Sequence, residues 1–330
     1  MTDNLVFLIS QPRSGSTMLQ AILGGHPDIH TCSEPWVALP FIYALRGEGV
    51  EYEFNSRWTQ DGVQAFFEES NIDQKFYDNT LRAFLSSFYQ KALEGSGKKI
   101  FLDKTPRYYE IASDIIRVFP EAKFIVLYRD PLAVLNSILN TWIKEDHAKI
   151  YNYSRDLLVA PSKMVDFISN HKDAICLVKY EDFVNSPSEE LNKICGYLGV
   201  EYVEEILNYN SGKEWFYGDK NFKNKTRPET SLVDAWKVDI DKRFNLNLLY
   251  YYISEIGQEL YERFGYDYDV SLKEIMKHNP NNKDRKLWDS VLNDYKIASI
   301  EDTRCAAVKK INYSYWGNVF DILCGKRRKG

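Results

Sequence analysis

A short loop near the N-terminus combines the residue types that bind oxyanions. Directly after an apolar run come Arg13, Ser14, Gly15, Ser16 and Thr17. A strand that enters such a loop and continues into a helix points backbone N–H groups and the positive end of the helix dipole at one place. Glycine allows close approach, and arginine adds a full charge. The loop is typical of a phosphate or sulfate site; a helix start capped by serine or threonine is the simpler alternative.

The spacing in this loop differs from that of nucleoside triphosphate loops. No glycine stands four residues before a Gly-Lys-Ser or Gly-Lys-Thr sequence. The sequence also offers no convincing carboxylate for magnesium at the end of a second strand. A P-loop kinase acting on a small molecule is therefore the weaker hypothesis, and no metal is expected to be required.

A second candidate anion site follows the apolar run at residues 123–128. Arg129 ends this run, and the Asp130-Pro131 pair comes next. Proline is tolerated in the first turn of a helix, so a helix is predicted there, with Ser137 about two turns along it. Ligands of open α/β sheets bind beyond the carboxyl ends of the strands, where Arg129 would lie. Arg129 and Ser137 can hold a second phosphate; a salt bridge from Arg129 to Asp130 or to a neighbouring helix is the alternative.

Strands and helices alternate around these two sites. Apolar runs predict strands at residues 5–9, 99–102, 123–128 and 174–178. Helix signals follow them at residues 17–23, 108–119, 131–140 and 188–198. Such alternation implies right-handed crossovers between parallel strands. The predicted fold class is α/β, a P-loop-like three-layer domain with a central, mainly parallel sheet and helices on both faces.

The remaining segments are predicted to surround this sheet. Residues 59–94 have helical periodicity without a strand and are predicted to form a helical insertion that walls a cleft, within one domain of residues 1–268. After residue 268 the composition becomes charged and polar. Residues 269–330 are therefore predicted to be a peripheral extension, helical or irregular.

The bulk properties exclude several function classes. A net charge of -5 over 330 residues argues against non-specific nucleic-acid binding, so any anion site must be local. Five scattered cysteines indicate reduced thiols rather than a zinc site or a disulfide framework. Neither a signal peptide nor a membrane span is recognisable, and a cytoplasmic location is expected. Basic residues 326–329 leave a weak peripheral membrane contact open.

Two anion sites at one edge of a sheet suggest a nucleotide with phosphates at both ends of its ribose. The chain resembles the sulfotransferases that depend on 3′-phosphoadenosine 5′-phosphosulfate, over roughly residues 5–200. That family pairs a 5′-phosphosulfate loop, here residues 11–17, with a 3′-phosphate motif, here residues 128–131 through Ser137. The resemblance is closest to the branch with tyrosylprotein and carbohydrate sulfotransferases, which also carry Arg-Ser-Gly in the loop and a turn similar to Gly25-His26-Pro27.

The resemblance implies a donor and the residues that bind it. The co-substrate is then 3′-phosphoadenosine 5′-phosphosulfate, and the product is adenosine 3′,5′-bisphosphate. Tyr180 stands in a Tyr-Glu segment similar to one that contacts the nucleotide, although packing would also explain its ring. The full set of implied donor-binding residues is Arg13, Ser14, Gly15, Ser16, Thr17, Arg129, Ser137 and Tyr180.

The resemblance also implies three catalytic residues. Glu34 follows Arg13 at a spacing similar to that of the branch's catalytic glutamate, which implies a general base for the acceptor hydroxyl. Lys104 resembles the lysine that steadies the transition state, and Arg13 is implied to share that task. Positive charge beside the departing oxygen stabilises the charge that develops there. The alternatives are an exposed loop carboxylate and a lysine paired with Asp103 or Glu110.

The acceptor and two rival functions stay open. At residues 35–40 the chain reads Pro-Trp-Val-Ala-Leu-Pro, where tyrosylprotein enzymes place arginines that receive acidic peptides. A carbohydrate, lipid or other small-molecule hydroxyl is therefore favoured, approached past Trp36, Phe41 and Tyr43. The residue of segment 220–237 that closes over the cofactor is not determined, because Ala235 replaces a family lysine. Besides the kinase, a catalytically silent nucleotide-binding protein is the alternative, and the oligomeric state is open.

Overall fold

A computed structural model describes residues 4–46, 56–144, 146–208, 227–242 and 244–299. Its strands are β1 Leu5–Ser10, β2 Ile29–Thr31, β3 Ile100–Lys104, β4 Lys123–Tyr128 and β5 Ile175–Lys179. They form one sheet in the order β2-β3-β1-β4-β5, and every neighbouring pair is parallel. The predicted α/β class with a central parallel sheet is confirmed.

Helices surround this sheet in the described part of the chain. The α-helices are α1 Ser16–Gly24, α2 Ala38–Tyr43, α3 Ser56–Glu69, α4 Gln74–Glu94, α5 Ala112–Val118, α6 Pro131–Ile138, α7 Ala160–His171, α8 Tyr180–Asn185, α9 Pro187–Leu198, α10 Ala235–Val238, α11 Asn245–Arg263, α12 Tyr268–Met276 and α13 Arg285–Ser299. Shorter 3-10 turns lie at Tyr108–Glu110, His147–Tyr153, Glu204–Leu207 and Thr230–Leu232. Single π-helical turns lie at Leu139–Ile143 and Arg155–Val159.

The strands send alternate side chains into two apolar layers. Phe7 of β1 packs in a layer with side chains of α4, α5 and α7, whereas Leu8 packs on the other face with side chains of α1, α8 and α9. Both residues are fully buried. A parallel sheet covered on both faces needs such continuous apolar strands, because neither face meets water. Helices on both faces are therefore confirmed.

Several elements differ from the expected bounds. β2 was not predicted, because a three-residue Ile-His-Thr strand is too short to show a period. β3 continues through Asp103 and Lys104, two charged residues that an apolar pattern cannot assign to a strand. The helix expected at 108–119 is a 3-10 turn followed by α5. In the expected helical insertion, α3 and α4 account for almost all of residues 59–94.

The described part of the C-terminal extension packs against the domain. Ile275 of α12 and Trp288 and Val291 of α13 are buried in an apolar cluster with side chains of α6 and α11. A few apolar residues at helical spacing are enough to dock an otherwise charged helix, and the peripheral character of residues 269–330 stays a prediction. The boundary at residue 268 stays a prediction. The basic residues 326–329 lie outside the described residues.

None of the helices in the described ranges has the length and apolar content needed to cross a bilayer.

Candidate functional site

The loop between β1 and α1 turns through two residues in the left-handed region. Arg13 has a φ of 71° and Gly15 a φ of 96°. The Ser14 amide donates to the carbonyl of Gln11 over 3.3 Å, and the Gly15 carbonyl accepts from the amides of the first helical turn. No side chain caps α1 at Gly15. The expected alternative, a helix start capped by serine or threonine, is therefore not the arrangement in this protein.

Gly15 lies against the ring of Tyr180. A Cβ at Gly15 would stand 2.7 Å from ring carbons Cδ2 and Cε2. The ring is 3% exposed, and its face lies 4.1 Å from the guanidinium carbon of Arg129. The absence of a side chain at Gly15 therefore permits a three-layer contact of loop, ring and arginine.

Arg129 lies buried where β4 ends. Its guanidinium donates to the carbonyl of Arg13 over 3.2 Å and to the carbonyl of Leu232. Its Nε has no hydrogen-bond partner among the described residues, and neither has the buried hydroxyl of Ser14. Leaving a buried polar group unpaired costs about 1–3 kcal/mol, so the Nε of Arg129, which lines a cleft, indicates where a ligand supplies the partner. Ser14 is not among the described residues that line this cleft.

The Asp130 carboxylate forms no salt bridge with Arg129 among the described contacts. It accepts from the Leu132 amide over 2.8 Å, the Tyr261 hydroxyl over 2.8 Å and the Trp236 indole over 3.1 Å. Burial raises the pKa of Asp130 to about 6, although the hydrogen bonds from Leu132 and Tyr261 and the charge of Arg129 oppose the rise. The carboxylate therefore caps α6 and ties it to α10 and α11, which leaves Arg129 directed to the cleft.

Arg13 joins the loop to the helix after β4. Its Nε donates to the Ser137 hydroxyl over 3.1 Å, and a terminal nitrogen donates to the Thr141 hydroxyl over 3.2 Å. The guanidinium also lies 5.2 Å from the ring centroid of Trp142. Arg13 and Arg129 therefore face one cleft of about 290 Å³, lined by Arg13, Gly15, Ser16, Thr17, Met18, Arg129, Ala133, Asn136, Ser137, Asn140, Thr141, Tyr180, Arg227, Glu229, Leu232, Ala235 and Asp239.

Lys104 and Glu34 form a buried ion pair next to Thr17, which lines this cleft, whereas neither Lys104 nor Glu34 is among the described lining residues. The Lys104 ammonium donates to Glu34 Oε1 over 2.7 Å and to the Thr17 hydroxyl over 3.2 Å. The two side chains are only 2% and 10% exposed. Neither Asp103 nor Glu110 is the partner, since Asp103 binds three hydroxyls and Glu110 binds Arg155. Taking two charges out of water is unfavourable, so the pair is not a typical surface contact.

Several residues of the cleft were missed by sequence reasoning. Asn136, Asn140 and Thr141 lie within a turn of Ser137, so the helical period could have found them. Asp239 had no sequence signal, because it arrives from a segment about 100 residues away. Burial raises its pKa, but hydrogen bonds from Lys242, Asn136 and Asn140 outweigh this effect and the net pKa is lowered.

The three residues expected along the acceptor approach differ in how far they are exposed to solvent. Trp36 is partly buried and has a φ of 59°. Phe41 is 36% exposed and meets Phe84 of α4 with ring centroids 4.9 Å apart. Tyr43 is buried in the core and does not belong to an approach. It was misassigned because an amphipathic helix α2 sends Tyr43 inward and Phe41 outward.

Residues 5–205 match the sulfotransferase family. The chain belongs to the sulfotransferase family. The matched range contains every residue predicted for the site, from Arg13 to Tyr180. Their individual roles stay predictions, and the cleft residues after 205 come from outside the matched range.

The curated relatives include a nodulation protein and several protein-tyrosine sulfotransferases. The nodulation protein NoeE of Sinorhizobium fredii is 26% identical over 72% of this chain and 60% of its own length. A putative protein-tyrosine sulfotransferase of Caenorhabditis briggsae is 26% identical over 72% of this chain and 83% of its own. Protein-tyrosine sulfotransferase 1 of Danio rerio is 24% identical, and the match spans 56% of that protein. The chain therefore spans little more than half of two of these relatives.

Solved structures of sulfotransferase domains have the same fold. The domain from the Synechococcus PCC 7002 olefin synthase has a TM-score of 0.50 and 25% identity, over 80% of this chain and 94% of that one. The domain from the curacin biosynthetic pathway has a TM-score of 0.51 and 22% identity, over 76% and 96%. These similarities support the P-loop-like architecture that the sequence predicts.

Proposed function

We propose that this chain transfers the sulfuryl group of 3′-phosphoadenosine 5′-phosphosulfate to a hydroxyl of a carbohydrate, lipid or other small-molecule acceptor. One observation carries the proposal: a cleft lined by two arginines is linked through Thr17 to a buried ion pair. Arg13, Arg129 and Thr17 line the cleft, and the buried Nε of Arg129 lacks a partner among the described residues. The Lys104 ammonium binds both the Thr17 hydroxyl and the Glu34 carboxylate. An anion site next to an acid–base pair suits group transfer from a phosphorylated donor.

The residues of this cleft suit a nucleotide with two phosphates. Arg129 and Ser137, with Arg13 between them, would hold the 3′-phosphate by charge-assisted hydrogen bonds. The amides of the loop at residues 14–17 would hold the 5′-phosphosulfate at the positive end of α1. The unpaired Nε of Arg129, a residue that lines the cleft, supports this fit.

The donor supplies an activated sulfuryl group and a stable leaving group. In the proposal, Glu34 accepts the proton of the acceptor hydroxyl as that oxygen attacks sulfur. Lys104 remains a fixed cation beside the forming charge on the departing oxygen, so its attraction strengthens in the transition state. Arg13 contributes charge from the phosphate side, because its guanidinium lies with Ser137 and Thr141.

The acceptor class is inferred from the segment after Glu34. Residues 35–40 carry no arginine, and Phe41 is partly exposed next to them. An apolar entrance favours a sugar ring, a lipid or another small molecule over an acidic peptide. Protein tyrosine is the second candidate, because several relatives are named protein-tyrosine sulfotransferases.

Binding and transfer assays test the proposal together. Adenosine 3′,5′-bisphosphate in the presence of chelator should raise Tm, whereas ATP with magnesium serves as the control for a kinase. Radiolabelled donor is then offered with sugars, lipids, phenols and acidic tyrosine peptides. Glu34→Gln should keep bisphosphate binding and lower turnover by about 10²- to 10⁴-fold. Binding without transfer to any acceptor would indicate a silent nucleotide-binding protein, and stabilisation by ATP with magnesium alone would indicate a kinase.

A further inference from the structure

Asp103 and Lys104 are neighbours on β3 that face opposite sides of the sheet. Lys104 reaches Thr17 on the α1 side, where Leu102 also packs. Asp103 lies on the other side and is fully buried. Its carboxylate accepts from the hydroxyls of Tyr89 over 2.6 Å, Tyr108 over 3.1 Å and Thr105 over 3.3 Å.

Two of these three hydroxyls continue to the loop that carries Glu34. The Thr105 hydroxyl accepts from the Trp36 amide over 3.2 Å, and the Tyr108 hydroxyl accepts from the Ala38 amide over 3.1 Å. A hydroxyl has one hydrogen and two lone pairs. Burial raises the pKa of Asp103 to about 6, so the carboxyl is ionised at neutral pH. Because an ionised carboxylate only accepts, both hydrogens then point to Asp103 and the lone pairs are left for the amides. The carboxylate therefore sets the direction of both relays.

The backbone at Trp36 needs such support. Its φ of 59° lies in the left-handed region, which residues other than glycine rarely occupy unless surrounding contacts hold them there. Glu34 stands two residues before it, and its carboxylate lies 2.7 Å from the Lys104 ammonium. The loop is thus held from both faces of β3, by an ion pair on one side and by two hydroxyl relays on the other.

We propose that Asp103 is a positioning residue, which fixes the carboxylate of Glu34 beside Lys104 through Thr105 and Tyr108. The proposal rests on the function proposed above for the role of Glu34 as base. Asp103 is not among the described residues that line the cleft, and its hydrogen bonds given above do not go to Glu34. Reacting groups need placement to within a fraction of an ångström, so loosening this loop lowers turnover without removing any group that binds the donor.

Four variants test the relays. Asp103→Asn keeps the shape but places an N–H donor where a hydroxyl hydrogen pointed, which turns a relay away from its amide. Thr105→Val and Tyr108→Phe each remove one relay. Tyr89→Phe is the matched control, since the Tyr89 hydroxyl also donates to Asp103 and interacts with Tyr108, whereas the loop amides of Trp36 and Ala38 donate to Thr105 and Tyr108.

Hydrogen exchange at the amides of Trp36 and Ala38 is the direct readout. In Asp103→Asn, exchange should rise about tenfold at the amide whose relay is turned away, the effect of losing about one hydrogen bond. The same rise is expected at the Trp36 amide in Thr105→Val and at the Ala38 amide in Tyr108→Phe. Turnover should fall about 10- to 100-fold in these three variants, with the Kd for adenosine 3′,5′-bisphosphate unchanged. Tyr89→Phe should keep slow exchange at both amides and turnover close to that of the unmodified chain.

Two results overturn the inference. One is unchanged exchange at both amides in Asp103→Asn; the other is a loss of turnover in Tyr89→Phe as large as in Tyr108→Phe, which would follow from lost stability alone. Failure of the proposed function has a different signature, because the unmodified chain would then transfer no sulfuryl group from the donor while the exchange pattern still reports on the relays.

Discussion

Gly15→Ala is expected to be one of the most disruptive single-methyl changes in the described chain. The φ of 96° at this position costs a residue with a Cβ about 1–2 kcal/mol. The new Cβ would stand 2.7 Å from two ring carbons of Tyr180, where carbon atoms normally keep about 3.5–4.0 Å. The ring must move by roughly 1 Å, but it is 3% exposed and lies against Arg129. Overpacking of this kind adds about 1–3 kcal/mol, which makes a total of about 2–5 kcal/mol.

Two other glycines separate these contributions. Gly97 has a φ of 67°, and a Cβ added there would have no atom within 4 Å. Gly97→Ala therefore measures the cost of the backbone conformation alone. Gly196 lies in α9 with the same open surroundings and without a positive φ, so Gly196→Ala should stabilise by about 0.5–1 kcal/mol. The difference between Gly15→Ala and Gly97→Ala then isolates the contact with Tyr180.

Urea unfolding of the three variants gives the free energies, and a titration with adenosine 3′,5′-bisphosphate gives the affinity. Only Gly15→Ala should weaken bisphosphate binding, because the displaced ring pushes on Arg129. When Gly15→Ala is added to Tyr180→Ala, the ring is absent and the free energy of unfolding should fall by no more than in Gly97→Ala. Equal destabilisation by Gly15→Ala and Gly97→Ala, or a cost that persists in the double variant, would refute the steric account.

Three further changes test other parts of the site. Lys104→Met leaves Glu34 buried without its partner and should destabilise by about 3–5 kcal/mol in urea, whereas Lys104→Met/Glu34→Gln should recover part of the loss; no recovery would contradict the pairing. Arg129→Lys keeps the charge but loses the planar fork, and should weaken bisphosphate binding at least about tenfold by calorimetry, with unchanged affinity as the contrary result. Burial raises the pKa of Asp130 from 3.8 to about 6. The folded state therefore binds this proton more tightly than the unfolded chain, and its stabilising effect is lost as pH rises from about 4 to 6. The stability of the natural chain relative to Asp130→Asn should thus fall by up to about 3 kcal/mol between pH 4 and pH 7, and parallel pH curves would contradict this.

Much of the donor side of the site could be predicted from local sequence. The apolar run of β4 was predicted with its observed bounds, and α1 was predicted to within a residue. In a parallel sheet, knowledge of which residues end the strands is enough to gather Arg13 and Arg129 at one edge. Helical spacing added Ser137 and the family resemblance added Tyr180, and the structure brings both into the same cleft.

The acid–base side depended on tertiary structure. The partner of Lys104 stands 70 positions earlier in the chain, and no periodicity selects Glu34 over Asp103 or Glu110. Tyr43 and Phe41 were both expected at the acceptor entrance, but the packing of α2 separates them.

The sequence by itself determined the strand–loop–helix order and the cationic residues at the strand ends, because these depend on neighbours a few residues apart. Only the tertiary structure decided which buried charges pair, which hydroxyls donate to Asp103 and which nitrogen of Arg129 stays without a partner among the described residues. Burial makes charges and polar atoms depend on specific partners, and those partners come from distant segments that only the folded chain brings together.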